Sequence, residues 1–260
     1  MTQPDDTQQQ YLYAIIACRE PRTFKALGIG ERGDPVHTVH HGRLAAVVSA
    51  SARSEYDNSR RNMMAHTLVL EEVMAEFDLL PVRFGTVAPD VQAVERLLLE
   101  ARYDEFTHLL GQMANRIELG LKAFWYEDAV FEEIVTENDA IRRLRDALDG
   151  RSPDETYYER IRLGEAVEKA LADKRAHDEE TILSRLRAHV LKTRTNKVIS
   201  DRMVLNAAFL VDADREPEVD AAVRALDAEL GERLMFKYVG PVPPYNFVDI
   251  VVSWDARGAA

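Results

Sequence analysis

The 260-residue chain holds a single cysteine, Cys18. No intramolecular disulfide can form, which fits a reducing compartment, and Cys18, between Ala17 and Arg19 in a predicted strand, reads as packing rather than as a nucleophile. Long apolar runs are missing as well. Nothing approaches the roughly 18 uninterrupted apolar residues of a spanning helix, so no membrane span is expected. The polar, acidic Met1 to Gln10 and the short run Tyr11 to Cys18, stopped by Arg19 and Glu20, lack the basic and apolar regions of a signal peptide. Basic charge is the scarcer sign: 33 Lys and Arg face 45 Asp and Glu, a formal charge of −12. Both halves are acidic, with 13 basic against 17 acidic residues up to Tyr126 and 20 against 28 after it. A non-specific nucleic-acid or anionic-membrane binder needs the opposite sign on at least one half. One stretch is basic, namely Arg185, Arg187, Lys192, Arg194, Lys197 and Arg202. Without interleaved aromatics to stack bases, it reads as the solvated face and end of a helix. There is also no nucleophile elbow, phosphate loop, His-Glu-x-x-His helix or Cys-x-x-Cys pair, so nothing nominates a catalytic residue, a cofactor site or a metal site.

What is present is an ordinary globular composition, 46% hydrophobic and 30% charged, long enough for one large or two modest domains. Tyr11–Ala17, Val36–His41 and Leu44–Ala50 read as strands, with a hairpin at His41–Leu44. Met63, His66, Val69, Leu70, Val73, Met74 and Phe77 form one helical stripe. A strand over Leu79–Val87 follows, then helical spacing from Val91 and from Phe106, and a closing strand at Ile117–Tyr126. Strands first, with helices inserted and no regular βα repeat, predict an α+β fold with helices on one face of an antiparallel sheet. From Glu127 the pattern turns to charged helix, either one long helix over Tyr157–Val190 or two with a polar joint. A small β-α-β unit comes next: strand Met203–Val211, helical teeth at Val219, Val223, Leu226 and Leu230, and alternation through Leu234, Phe236 and Tyr238. The final segment from Gly240 ends in one further expected strand. The predicted division is a disordered tail over 1–10, an α+β domain over 11–126, a helix-rich domain over 127–254 and a tail over 255–260.

Several local patterns invite chemistry. Gly28-Ile29-Gly30-Glu31-Arg32-Gly33 matches the dinucleotide glycine pattern, but the preceding strand ends too early and Asp34-Pro35 follows where a helix must begin, so it reads as a flexible loop. His37 and His41 share one face of a strand while His40 points to the other, which suits a surface cluster better than a metal site. His66, inside an apolar stripe, reads as a hydrogen-bonded core histidine. The most unusual segments are Leu80-Pro81-Val82-Arg83-Phe84-Gly85-Thr86 and Gly240-Pro241-Val242-Pro243-Pro244-Tyr245-Asn246-Phe247. In the first, read as a strand, Arg83 offers a guanidinium fork and Gly85 room for a partner backbone, set against an ion pair within the chain. In the second, stiff extended backbone presents Tyr245 and Phe247 to the core or to a partner. Arg83, Phe84, Gly85 and Tyr245 are therefore the expected partner-binding residues.

At these residues the sequence resembles the gas vesicle protein GvpL/GvpF family. The matching pieces are Tyr11-Leu12-Tyr13-Ala14-Ile15, Leu44-Ala45-Ala46-Val47-Val48-Ser49, His66 with Val69-Leu70-Glu71, Leu80 to Thr86, Asn206-Ala207-Ala208-Phe209-Leu210-Val211, and Gly240 to Phe247, in the family's order over nearly the whole chain. Val242 departs from it, standing where Trp is common. The resemblance implies two α+β domains, the N-terminal one related to a ferredoxin-like fold. It also implies a non-enzymatic accessory protein for building gas vesicles, the hollow proteinaceous flotation organelles of some bacteria and archaea. Its expected partners are the small hydrophobic shell protein, during nucleation or assembly, and other accessory proteins, with no nucleic acid, membrane or cofactor. Its expected place is the cytoplasm, in association with the vesicle. The alternative is a small-molecule-binding or enzymatic α+β protein with a pocket near His66 or Arg83.

Overall fold

The computed structural model describes residues 8–152, 154–252 and 254. Of the two predicted tails, 1–7 and 255–260 lie outside the described residues. Gln10, expected in the tail, is instead buried and pairs with Ala50 as the first residue of a strand.

The chain divides into two compact units, 1–118 with 241–260, and 119–240. In the first, β1 (Gln10–Ala17), β2 (Thr23–Leu27), β3 (Pro35–His41), β4 (Leu44–Ala50), β5 (Leu79–Pro81) and β6 (Val87–Ala88) form a sheet in the order β2-β3-β4-β1-β5, with β6 also on β1. The pairings are antiparallel. A continuous apolar run places β1 at the centre, where every residue from Tyr11 to Ile16 is fully buried. A strand hidden on both faces needs cover on both. Val69, Leu70 and Val73 of α1 (Arg60–Met74) share a core cluster with Tyr11 and Tyr13. Two further elements supply more cover: α2 (Val91–Ala93), continued as a π-helical stretch over Val94–Glu100, and α3 (Tyr103–Met113), with the π stretch against β3 and β4 and α3 against β1. Ser59 caps α1, its side chain accepting from the Asn62 N–H. The short edge strand β2 escapes the sequence reading. Its outward amides at Lys25 and Ala26 donate to the two carboxylate oxygens of Glu72 on α1, at 2.8 and 2.7 Å, which blunts that edge.

The Gly28–Gly33 segment is not a free loop. Ile29 is buried and donates its N–H to Tyr13 Oη at 2.7 Å, and a Cβ at Gly28 would stand 2.5 Å from Ser49 Oγ. No helix follows it, as the argument against a nucleotide site requires.

The strand β7 (Arg116–Trp125) runs from the first unit into the second, where it joins β8 (Lys192–Thr195), β9 (Met203–Asp212) and β10 (Leu234–Val242) in the order β10-β7-β9-β8. The helices here are α4 (Glu127–Glu137), α5 (Asp139–Asp146), α6 (Tyr157–Leu186) and α7 (Glu216–Leu230). Of the two readings of the charged middle, one 30-residue helix is what forms. A polar knot ties these elements. Asp178 of α6, nearly fully buried, accepts from Trp125 Nε1 at 2.8 Å and from the Arg233 guanidinium at 3.1 and 3.0 Å. Arg233 also forks onto Glu133 of α4 at 2.7 and 2.9 Å, and Lys174 reaches Glu133 at 2.7 Å.

Four expectations change here. The division falls at 118/119 rather than 126/127, since β7 is shared, and the segment from Pro241 packs with the first unit instead of closing the second. That segment adds no strand among the described residues, only a single parallel bridge between Val82 and Ile250. The basic stretch is helix only to Leu186, after which Lys192 and Arg194 lie on the edge strand β8.

Candidate functional site

The expected partner-binding residues meet in the first unit, over a buried aromatic cluster. The Tyr11 ring lies 4.9 Å from Tyr13, 5.3 Å from Tyr56 and 6.2 Å from Phe84, and the His66 ring lies 5.5 Å from both Tyr13 and Phe84. Burial of Tyr11 and Tyr13, with half-buried Tyr56, in one apolar place demands partners for their hydroxyls. Tyr13 Oη shares a hydrogen bond with Ser49 Oγ at 2.9 Å, and Tyr56 Oη shares one with Ser51 Oγ at 2.9 Å. Tyr11 Oη accepts the Gly85 N–H at 3.0 Å and stands 3.0 Å from His66 Nδ1. The Tyr11 oxygen accepts from Gly85 with one lone pair and either donates to Nδ1 or accepts from it with the other, according to the tautomer of the neutral His66 ring. Burial pushes the His66 pKa down to about 4, and raises those of Tyr11 and Tyr13, the latter to about 12.

The Leu79–Val87 strand is interrupted, a correction to its reading as continuous. Residues 82–86 form a turn in which Thr86 donates its backbone N–H (3.3 Å) and its hydroxyl (2.7 Å) to the Arg83 carbonyl. Gly85 sits at φ +85°, in the left-handed region, and a Cβ there would meet nothing within 4 Å. That conformation is open to glycine without strain, which suits it to the turn. The turn is pinned from below by Val82 N–H to the Tyr13 carbonyl and Leu12 N–H to the Thr86 carbonyl, at 2.9 and 3.0 Å.

The segment after β10 returns to this place. Glu118, 4% exposed, accepts the Asn246 N–H at 2.7 Å and its side-chain amide at 2.6 Å, and burial raises the Glu118 pKa. Tyr245 is 41% exposed; its pKa is pushed up to about 12 by burial and by the nearby charges of Glu118 and Glu71, and it stands close enough to Tyr11 to raise that group's pKa too. Arg83 pairs with Asp249 at 2.9 Å, both side chains about two-thirds exposed. Arg83, Phe84, Gly85 and Tyr245 are thus brought together, with Arg83 in the ion pair that sequence left open. Sequence reasoning missed Asp249 and Glu118, since neither lies in a motif and each finds its partner more than 100 residues away. On α1, Met63, Met64 and Leu68 are exposed around the turn that carries His66.

The pocket expected near His66 has a different setting. His66 is 2% exposed and walled by rings; clefts of about 360, 740, 430 and 490 Å³ are lined by other residues, Tyr56 of the aromatic cluster among those of the first. The first lies over Gly30 to Asp34 and the start of α1, where Arg32 and Arg61 pair with Asp34 and Glu31. His40 is engaged by Thr38 Oγ1 and the Cys18 carbonyl, at 2.7 and 3.2 Å. Among the described residues no three His, Cys, Asp or Glu stand where they could hold a metal ion, and no helix is long and apolar enough to cross a membrane.

Comparison with known proteins gives a consistent picture. The family model described as gas vesicle synthesis protein GvpL/GvpF matches residues 9–249. Gas vesicle protein F of Streptomyces sp. (strain CB03234) is 32% identical over 92% of this chain and 99% of its own length. That of Dolichospermum flosaquae is 28% identical over 92% and 97%. Gas vesicle protein L of the same Streptomyces strain is 27% identical over 93% of each chain. The crystal structure of GvpF from Anabaena sp. PCC7120 superposes with a TM-score of 0.81 at 26% identity, covering 94% of this chain and all of that one.

Proposed function

The chain belongs to the GvpL/GvpF family of gas vesicle synthesis proteins and takes part in gas vesicle formation, and from that premise we propose that it acts without catalysis, binding the small hydrophobic shell protein while the vesicle is nucleated or grows. Such a subunit, apolar on its gas-facing side, must be kept soluble until it is incorporated. An acidic carrier with an apolar contact surface on a rigid base suits that task.

The observation that carries the reading is the exposed rim of the aromatic cluster: half-buried Phe84 and the more exposed Tyr245, beside the Arg83–Asp249 pair. In this reading the protein works in the cytoplasm at the growing vesicle. Co-expression of the tagged chain with the major shell protein tests it. Shell protein is expected to co-purify, and its soluble fraction to rise. No recovery and no change in solubility sinks shell binding and turns the search to other accessory proteins. An Arg83→Glu variant that melts like the parent yet retains shell protein equally well removes Arg83 from the surface.

A further inference from the structure

The helix α6 buries one face in its C-terminal half, at Asp178, Ile182 and Leu186. Ile182 comes about five turns after Gly164, so Gly164 lies on that same face nearer the N-terminus, and Tyr157, Ile161 and Leu171 share it at helical spacing. Here the face is open. Tyr157 is 61% and Ile161 42% exposed, and a Cβ at Gly164 would meet nothing within 4 Å. Gly164 and Leu171 also line the cleft of about 740 Å³, together with Trp125, Val130 and Phe131. The stripe reads alike in both directions from Gly164: Tyr157 and Leu171 stand seven residues to either side of it, Ile161 and Val167 three, and the exposed Arg160 and Glu168 four. Arg160 donates its Nε–H to Thr156 Oγ1 at 2.9 Å, and neither Arg160 nor Glu168 forms an ion pair with a described residue. Roughly 12 Å apart along the helix, they cannot pair with each other in one copy.

We propose that this face docks a second copy of the chain, whose α6 crosses it antiparallel at Gly164, where the lack of a side chain lets the two helices approach closely. About a two-fold axis at that point, Tyr157 of the second copy meets Leu171 and enters the cleft beside Phe131, Ile161 meets Val167, and Arg160 meets Glu168, each contact being made twice. The order of the residues selects this occupant. An isologous interface must complement itself in both directions, as this stripe does, whereas a parallel pair sets Arg160 against Arg160 and Glu168 against Glu168. One contact thereby covers both the exposed tyrosine and the open cleft. All these residues belong to the second unit, and the interface stands or falls independently of shell binding.

Analytical ultracentrifugation of the full chain over a concentration series tests it, and a reversible dimer with a Kd on the order of 10 µM is expected. Gly164→Arg has room in the single copy and raises helix propensity, so it is expected to melt no lower than the parent and to sediment as a monomer. Arg160→Glu alone, or Glu168→Arg alone, sets like charges together at both symmetric contacts. Each is expected to weaken the dimer about tenfold, and the two combined to restore it. A chain still monomeric at about 100 µM overturns the proposal. So does a dimer untouched by Gly164→Arg, which forms through another face, and so does a double variant no tighter than the single ones, which breaks the antiparallel register.

Discussion

At the scale of single residues, His66 and Gly85 act through one hydroxyl. Because His66 is buried and neutral, with a pKa near 4 against an ordinary 6.5, the unfolded chain binds a proton there that the folded chain refuses. Its contribution is complete above about pH 6.5 and is lost as pH falls toward 4, a change of roughly 3 kcal/mol. Urea midpoints at pH 7.5 and 5 are therefore expected to lie further apart in the parent than in His66→Gln, and equal separation refutes the assignment. Gly85→Ala meets no steric obstacle but must adopt φ +85°. A loss of about 1 to 2 kcal/mol is expected by calorimetry, and an unchanged melting temperature means that the turn does not need glycine. The exposed Arg83–Asp249 pair contributes little by comparison, so Asp249→Asn is expected to shift stability by less than about 1 kcal/mol.

At the scale of elements, the two units hold their strands and helices by different means. In the first, the Glu72 carboxylate stands where a neighbouring strand would. Glu72→Ala is expected to speed amide exchange at Lys25 and Ala26 while leaving β1 protected, and unchanged exchange at those two amides contradicts the edge role. In the second, Asp178 gathers Trp125 and Arg233. Asp178→Ala leaves a half-buried guanidinium and an indole N–H short of a partner, with an expected cost of about 3 kcal/mol by denaturant unfolding followed through Trp125 fluorescence. A loss below about 1 kcal/mol makes the knot incidental. Much of this architecture is legible in the sequence where burial is one-dimensional: the apolar runs of β1 and β4, and the stripes of α1 and α7. The turn at residues 82–86 is not, because alternating Leu80, Val82 and Phe84 mimic a strand while the φ of Gly85 and the hydroxyl of Tyr11 leave no local trace. The edge strand β2 is hidden for a related reason, since its cover comes from a helix 46 residues away. All four expected contact residues do converge, but Asp249 and Glu118 become visible only once distant stretches of chain are brought together.

At the scale of the whole molecule, the first unit is built from two stretches of chain with the second unit inserted between them. Removal of the chain from Pro241 onward is expected to lower the melting temperature of the first unit, because Glu118 is left buried without Asn246, while exchange protection in β9 persists. Equal loss in both units refutes their separate cooperativity.

The insertion also sets an order of events on the ribosome. Glu118 is synthesised 128 residues before the Asn246 that donates to its carboxylate, and Arg83 166 residues before Asp249. At roughly 5 to 20 residues per second, the whole of the second unit is synthesised before the first receives its last piece. The Arg83 and Tyr245 surface therefore cannot form on a nascent chain. Whatever binds that surface meets it only on a chain made at least as far as Asp249, and products truncated before that point carry no competing copy of it.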